Sequence, residues 1–209
     1  RIAQLSDSLV AGTGATRNIS DLGVKAYETG RLKQVFTEPE YGITFFKSGD
    51  IFLAKIEPER YLSRKLLNSE DNWMVKEEDI LIARSGQVGG IIGRGVWADP
   101  RFNGSCVSVH VLRLRVNGSC INPGYLFSYL CNTDVGYRQL VRNAAGSSVP
   151  YISKDNVMSL KIPRMSDKNL EQEIHLKVKE AGEKIASSQE LEAQSIKMLE
   201  KTIEEACHG

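Results

Sequence analysis

The sequence predicts an α+β fold: a mixed, β-rich globular head over residues 1–166, followed by one long C-terminal α-helix over 167–209. Three observations carry this reading. Short β-type runs alternate with turn residues through the first three-quarters of the 209-residue chain. One segment among them has helical spacing. Between Asp167 and Cys207 there is no Pro, one Gly (Gly182) and no aromatic residue, while Glu, Lys, Gln, Ala, Leu and Ile dominate. That is the composition of a long exposed helix.

In order along the head, residues 51–56 (IFLAKI) follow the turn Ser48-Gly49-Asp50 and read as a strand, as does 80–83 (ILIA). Residues 86–95 (GQVGGIIGRG) fit no dinucleotide-binding glycine pattern and read as a turn between strands, where backbone can approach a partner closely. Residues 107–116 (VSVHVLRLRV) alternate apolar and polar, with the phase broken near Leu112 and Arg113, which predicts a bulge. Residues 123–141 read as one helix, with Pro123 at its start and Tyr125, Tyr129 and Leu130 at helical spacing. A last strand is expected within 152–162. Residues 47–55 are echoed by 76–84. In each, a basic residue precedes an Asp (Asp50, Asp79) that can close a turn with its side chain, and an apolar run then leads to a second basic residue, Lys55 or Arg84. Glu78 stands immediately before Asp79 where the first copy has Gly49.

About 40 helical residues make a rod of roughly 60 Å, whereas a head of some 165 residues is only about 30–40 Å across. The helix is therefore expected to project. Ile174, Val178, Ala181 and Ile185 form one apolar stripe, and Ile196, Leu199, Ile203 and Ala206 a second. Between them Ala186-Ser187-Ser188-Gln189 is small and polar, and no continuous heptad seam exists. The expectation is a helix paired with another through two apolar ends; the alternative is one that folds back onto the head.

Composition excludes several classes. The net charge of +1 divides into 21 Lys+Arg against 16 Asp+Glu over 1–166, and 6 against 10 over 167–209. A basic head is compatible with a polyanion. Cys106, Cys120, Cys131 and Cys207 form no CxxC pair, and His110, His175 and His208 lie far apart, so no metal or other cofactor is expected. The thiols read as reduced, in a cytoplasmic protein. No apolar run is long enough to span a membrane. The N-terminus lacks Met and a signal pattern and reads as that of a fragment or processed chain. There is no Glu/Asp-x-Lys nuclease spacing, Walker loop, nucleophile elbow or HExxH. Asn122-Pro123-Gly124-Tyr125 reads as a helix-starting turn, and no enzymatic constellation is expected.

The binding candidates lie in loops where Arg and Lys mix with Asn, Gln and Ser, side chains that reach phosphates and base edges. They are Lys55; Arg84, Ser85, Gln87 and Arg94; Arg101 and Asn103; and Arg138, Arg142, Asn143, Ser147, Ser148 and Lys154.

These phrases also carry a family resemblance. Asp79-Ile-Leu-Ile-Ala-Arg84-Ser85-Gly86-Gln-Val88-Gly89 resembles the GDILISRSGTVG segment of specificity (S) subunits of type I restriction–modification systems, with Glu78 where their Gly precedes Asp, an exchange expected to matter little for a turn. Gly49-Asp50-Ile-Phe-Leu-Ala-Lys55-Ile-Glu-Pro58 is similar to their GDILFAKIxP phrase. Gly146-Ser-Ser-Val-Pro-Tyr151-Ile-Ser-Lys-Asp155, with Leu160-Lys-Ile162-Pro163 beyond it, resembles the close of their target recognition domains. Asn169-Leu-Glu-Gln172-Glu-Ile174 is similar to the LxEQxxI opening of their conserved-region helix. The four phrases stand in the family's order. The resemblance implies a non-catalytic subunit whose target recognition domain (1–166) reads one half of a split site on double-stranded DNA. It implies a helix (167–209) that pairs in an antiparallel coiled coil, sets the spacing of half-sites and docks methyltransferase subunits, and through them the restriction subunit. S subunits carry two such units and this chain has one, as a half-subunit would, whether natural or cut from a longer chain. Such a half-subunit would form a two-fold homodimer. The specificity domain of a single-chain restriction/methyltransferase enzyme, and a coiled-coil protein-binding adaptor, stay open as alternatives.

Overall fold

The computed structural model describes residues 14–30, 34–66, 73–142, 144–146 and 149–208. The described strands are β1 (Gly14–Asn18), β2 (Val24–Glu28), β3 (Phe36–Thr37), β4 (Gly42–Phe46), β5 (Tyr61–Ser63), β6 (Ile80–Ala83), β7 (Gly95–Trp97), β8 (Cys106–Val107), β9 (Val111–Val116) and β10 (Lys161–Arg164). The described α-helices are α1 (Pro123–Asn132), α2 (Asp134–Arg142), α3 (Lys154–Met158) and α4 (Lys168–His208). The main sheet has the order β2-β9-β6-β7 and is antiparallel. A second sheet has the order β3-β5-β4-β8, with β4 and β8 parallel, and β1 pairs with β10. The expected α+β head followed by a long helix is the architecture found.

The core explains the strand sequences. One face of the main sheet, with Ile80, Ile82, Leu112 and Leu114, packs on Leu126 and Leu130 of α1, Leu140 of α2 and Val157 of α3. The other face, with Leu81 and Val111, packs on Phe46, Phe102 and Val107. Strand β6 is thus buried on both sides, which is why ILIA is uninterrupted rather than alternating.

The echo is real at its turns and fails beyond them. Lys47 N–H donates to Asp50 Oδ2 at 2.8 Å, and Lys76 N–H to Asp79 Oδ2 at 2.9 Å. Asp79 is also gripped by Arg115 of β9, whose Nε donates to Oδ1 at 2.7 Å and whose Nη2 donates to Oδ2 at 2.6 Å. That tie delivers residues 80–83 to the edge of β9, where they become a strand. Asp50 has no such tie among the described residues, and the run after it forms a 3-10 turn (Asp50–Phe52) with Leu53 exposed, not the expected strand. Glu78 is the one described non-glycine residue with positive φ, at 68°. The exchange expected to matter little therefore places a side chain in a conformation that costs about 1 kcal/mol without glycine.

Three further expectations are corrected. The break within 107–116 lies at Ser108 to His110, where the chain leaves the second sheet and enters the first; β9 itself pairs regularly through Leu112 and Arg113. The helix expected over 123–141 is two helices. Thr133 Oγ1 donates to Tyr129 O and accepts Gly136 N–H, and Gly136 sits so close that an added Cβ would lie 2.0 Å from the Tyr129 carbonyl oxygen. Within 152–162, Ser153 Oγ accepts Asn156 N–H at 3.1 Å and caps α3, so only Lys161–Arg164 is strand.

The long helix folds back onto the head over part of its length only. At its start the Glu171 carboxylate, 1% exposed, accepts from Arg164 Nε at 2.9 Å, Met165 N–H at 2.8 Å and Lys168 Nζ at 3.3 Å. One turn on, His175 Nδ1 accepts Gly124 N–H at 3.2 Å. Glu78 reaches Lys179 at 3.3 Å. Gly182, the one glycine of the helix, lies against Trp97 and Asp99, where an added Cβ would be 2.9 Å from Trp97 Cδ1. Gln189 then closes the contact: its Nε2 donates to Ile56 O at 2.7 Å and its Oε1 accepts Ile56 N–H at 3.2 Å. Beyond Gln189 the helix is bare, with Leu191, Met198, Leu199 and Ile203 all more than half exposed. The near half folds onto the head and the far half projects.

Burial alone would raise the Glu171 carboxyl, but Arg164, Met165 N–H and Lys168 outweigh it and hold it below its ordinary value. Its contribution to stability is therefore complete above the ordinary Glu value of about 4.3, and is lost as pH falls through the lowered one. The melting-temperature difference between wild type and Glu171→Gln should be largest near pH 6 and shrink towards pH 3; a difference independent of pH would contradict this account.

Candidate nucleic-acid interface

Three segments far apart in sequence meet around the end of β6. Arg84 N–H donates to His110 O at 2.9 Å, and Arg84 O accepts Ile152 N–H at 2.8 Å. Gly86 N–H donates to Pro150 O, and Ala145 and Tyr151 exchange backbone hydrogen bonds. The loop after Arg84 then turns on Gly86, Gly89 and Gly93, all at positive φ. Gly93 lies against Tyr137 and Val141 of α2, where an added Cβ would be 2.6 Å from Val141 Cγ1, and Arg94 stacks over the Tyr137 ring at 4.9 Å. The loop 85–94, the outer side of α2 and the strap 149–154 therefore form one continuous neighbourhood.

Seven of the residues expected from sequence lie there. Gln87, Arg94, Arg138, Arg142 and Lys154 are exposed. Arg138 pairs with Asp134 one helical turn away, while Arg94, Arg142 and Lys154 have no carboxylate partner among the described residues. Ser85 Oγ lies 3.2 Å from His110 Nδ1, on a histidine that sequence reasoning passed over because it stood alone. Arg84 is different. It is 2% exposed, its Nη2 meets Glu28 Oε1 at 2.8 Å, its Nε donates to Ile152 O at 3.2 Å, and its guanidinium lies 4.0 Å from the Tyr151 ring centre. Burial pulls its guanidinium down from the ordinary value, and Glu28 opposes that. With those partners Arg84 cannot extend to a ligand, which corrects its expected role as a surface contact. Asn143, Ser147 and Ser148 lie outside the described residues.

Lys55, Arg101 and Asn103 are elsewhere. Arg101 donates to both oxygens of Asp99, at 2.9 and 2.7 Å, and to Gln189 Oε1 on the long helix at 3.1 Å. It braces the helix against the head. Asn103 is exposed just after the 3-10 turn Pro100–Phe102. Lys55 pairs with Glu57 at 2.8 Å and borders a cleft of about 510 Å³ with Lys184, Gln189 and Glu192, a neighbour of the helix rather than of the loop cluster.

The first helical stripe meets the head only in part. Ile174 packs against the core and Val178 is half-buried, whereas Ile185 is 49% exposed. With Leu170, Trp97 and Phe127 they line an open apolar groove of about 550 Å³. In the second stripe Ile196, Leu199 and Ile203 are 41%, 61% and 53% exposed.

The chain is thus a β-rich head braced on a projecting helix, with a loop cluster of exposed cations on the head. The sequence matches no protein-family model and no curated protein at a significant level. Solved structures do match. The HsdS subunit from Thermoanaerobacter tengcongensis superposes with a TM-score of 0.54 at 14% identity, over 88% of this chain and 44% of that one. The type I restriction–modification S subunit from M. genitalium gives 0.52 at 17% identity, over 78% and 37%. The type IIG restriction endonuclease BpuSI gives 0.54 at 12%, over 85% and 28%. The chain spans less than half the length of each. At these identities the likeness is one of fold, and the chain has the fold of type I specificity subunits, the family its phrases resemble.

Proposed function

We propose that this chain is a DNA-reading specificity module of a restriction–modification system, non-catalytic itself, that recognises one half of a split duplex site and presents a helix for assembly. The observation that carries the reading is the convergence of Gln87, Arg94, Arg142 and Lys154 on one loop cluster, in a fold shared with S subunits. Exposed cations without carboxylate partners supply phosphate contacts, and a neighbouring amide such as Gln87 supplies base-edge hydrogen bonds. Target recognition over 1–166, the spacer and assembly role of 167–209, and docking of methyltransferase and restriction subunits follow from the same reading. The open groove beside Ile174, Val178, Ala181 and Ile185, with the bare stripe at Ile196, Leu199 and Ile203, supports an antiparallel pairing of two such helices, in a homodimer or with a second conserved helix. The likeness to BpuSI supports a second reading, in which the same module serves a single-chain restriction enzyme.

Selection from a random duplex library, with and without a type I methyltransferase subunit from the same source, tests the function. Enrichment of a split motif with a fixed gap is expected. Failure to enrich any sequence in either arm would favour a protein-binding adaptor. On an enriched duplex, Arg94→Ala combined with Arg142→Ala should weaken binding and reduce the slope of log affinity against log salt by about 2. An unchanged slope would remove these residues from the interface.

A further inference from the structure

We propose that Arg84 is a positioning residue, which fixes the 85–93 loop against the 149–152 strap and thereby sets discrimination between DNA sequences rather than affinity for DNA. The inference rests on the DNA reading above and assigns a role within it. Three segments distant in sequence meet at this one side chain and its backbone. Glu28 at the end of β2 takes Nη2, the strap carbonyl of Ile152 takes Nε, Tyr151 stacks on the guanidinium plane, and the His110 turn takes the backbone N–H. Glu28 Oε1 also accepts Lys154 N–H at 3.2 Å, so one carboxylate joins Arg84 to the first residue of α3. Ser85 and Gly86 continue from Arg84 into the exposed loop, bonded to His110 and Pro150. Buried at 2% exposure and held through Nε, Nη2 and its stacking face, Arg84 offers no free side chain to a duplex, yet both polar loops take their placement from it.

The geometry separates two effects. Phosphate contacts made by flexible Lys and Arg tolerate small displacements of a loop. Bidentate base contacts do not, because two donor–acceptor distances must be met together. Loosening the clamp should therefore reduce preference for the correct sequence while leaving the electrostatic component in place. Lysine keeps the charge but has neither the planar fork nor the stacking face, so Arg84→Lys isolates geometry from charge.

The test compares wild type, Arg84→Lys and Glu28→Gln on two duplexes: one selected by the wild-type chain from the random library, and a scrambled duplex of equal length and composition. Arg84→Lys should lower the ratio of the two affinities by about tenfold, with the salt slope unchanged. Glu28→Gln, which leaves Arg84 in place and keeps a neutral acceptor, should fall between. Hydrogen exchange of the Gly86 and Ile152 amides in the free proteins should quicken in the same order, while α1 amides stay protected; this arm needs no DNA. An unchanged ratio in Arg84→Lys would overturn the proposal. So would an equal loss on both duplexes with the slope reduced by about 1, which would make Arg84 a phosphate contact. A wild-type chain that enriches no duplex would overturn the DNA reading and the discrimination role with it, and the exchange arm alone would then report whether the clamp orders the loops.

Discussion

The buried Glu171 carboxylate governs how the long helix leaves the head. It stands in the first turn of α4, where an anion also complements the helix dipole. It draws together Arg164 at the end of β10, the Met165 amide and Lys168. Such a pair adds little net stability over an apolar contact, but removing one partner leaves an uncompensated buried charge and costs about 3–5 kcal/mol. Its value is therefore directional. Tyr125 reinforces it by donating to Pro163 O at 2.6 Å, and burial, with Glu171 nearby, pushes its hydroxyl up to about 12, so it remains a donor at any physiological pH.

From that origin the rest of the arm follows. A rigid helix of 41 residues cannot diverge from the head once its first turn and Gln189 are both fixed, and the contacts at Gly124, Gly182 and Ile56 lie along one side of it. What remains exposed is a groove on the near half and a stripe on the far half. A hydrophobic surface of this extent, on a helix whose other faces are charged, is what the proposed helix pairing rests on. The 85–94 and 149–154 loops depend on the arm only indirectly, through α1 and β7, which lie beneath the helix and hold the main sheet from which the 85–94 loop springs.

Much of the fold was legible because period and composition report burial directly. ILIA announced a strand covered on both faces, and the change at Asp167 announced a long helix. Residues 51–56 misled because their apolar content resembles that of 80–83, whereas strand formation was decided by Arg115, 36 residues beyond Asp79. The two sheets exchange the chain at Ser108 to His110, a position whose sequence carries no strong turn signal. The Ser153 cap was a local signal, visible in Ser-Lys-Asp-Asn and overlooked beside the apolar run around it. Among the candidate site residues, type and loop context indicated that Gln87, Arg94, Arg142 and Lys154 are exposed. They could not separate Arg84, whose partner Glu28 is 56 residues away, from an exposed arginine. Arg101 was separable in principle, since Asp99 two residues earlier sits at the N-cap of a Pro-initiated turn.

On the proposed reading the loop cluster, and not the Arg101 side of the head, faces DNA. Hydroxyl-radical footprinting of the protein with and without the selected duplex tests it most directly. Protection confined to 85–94, the exposed side of α2 and 149–154 is the expected result. Protection centred on Arg101, Asn103 and Lys55, with the loop cluster unchanged, would contradict the account.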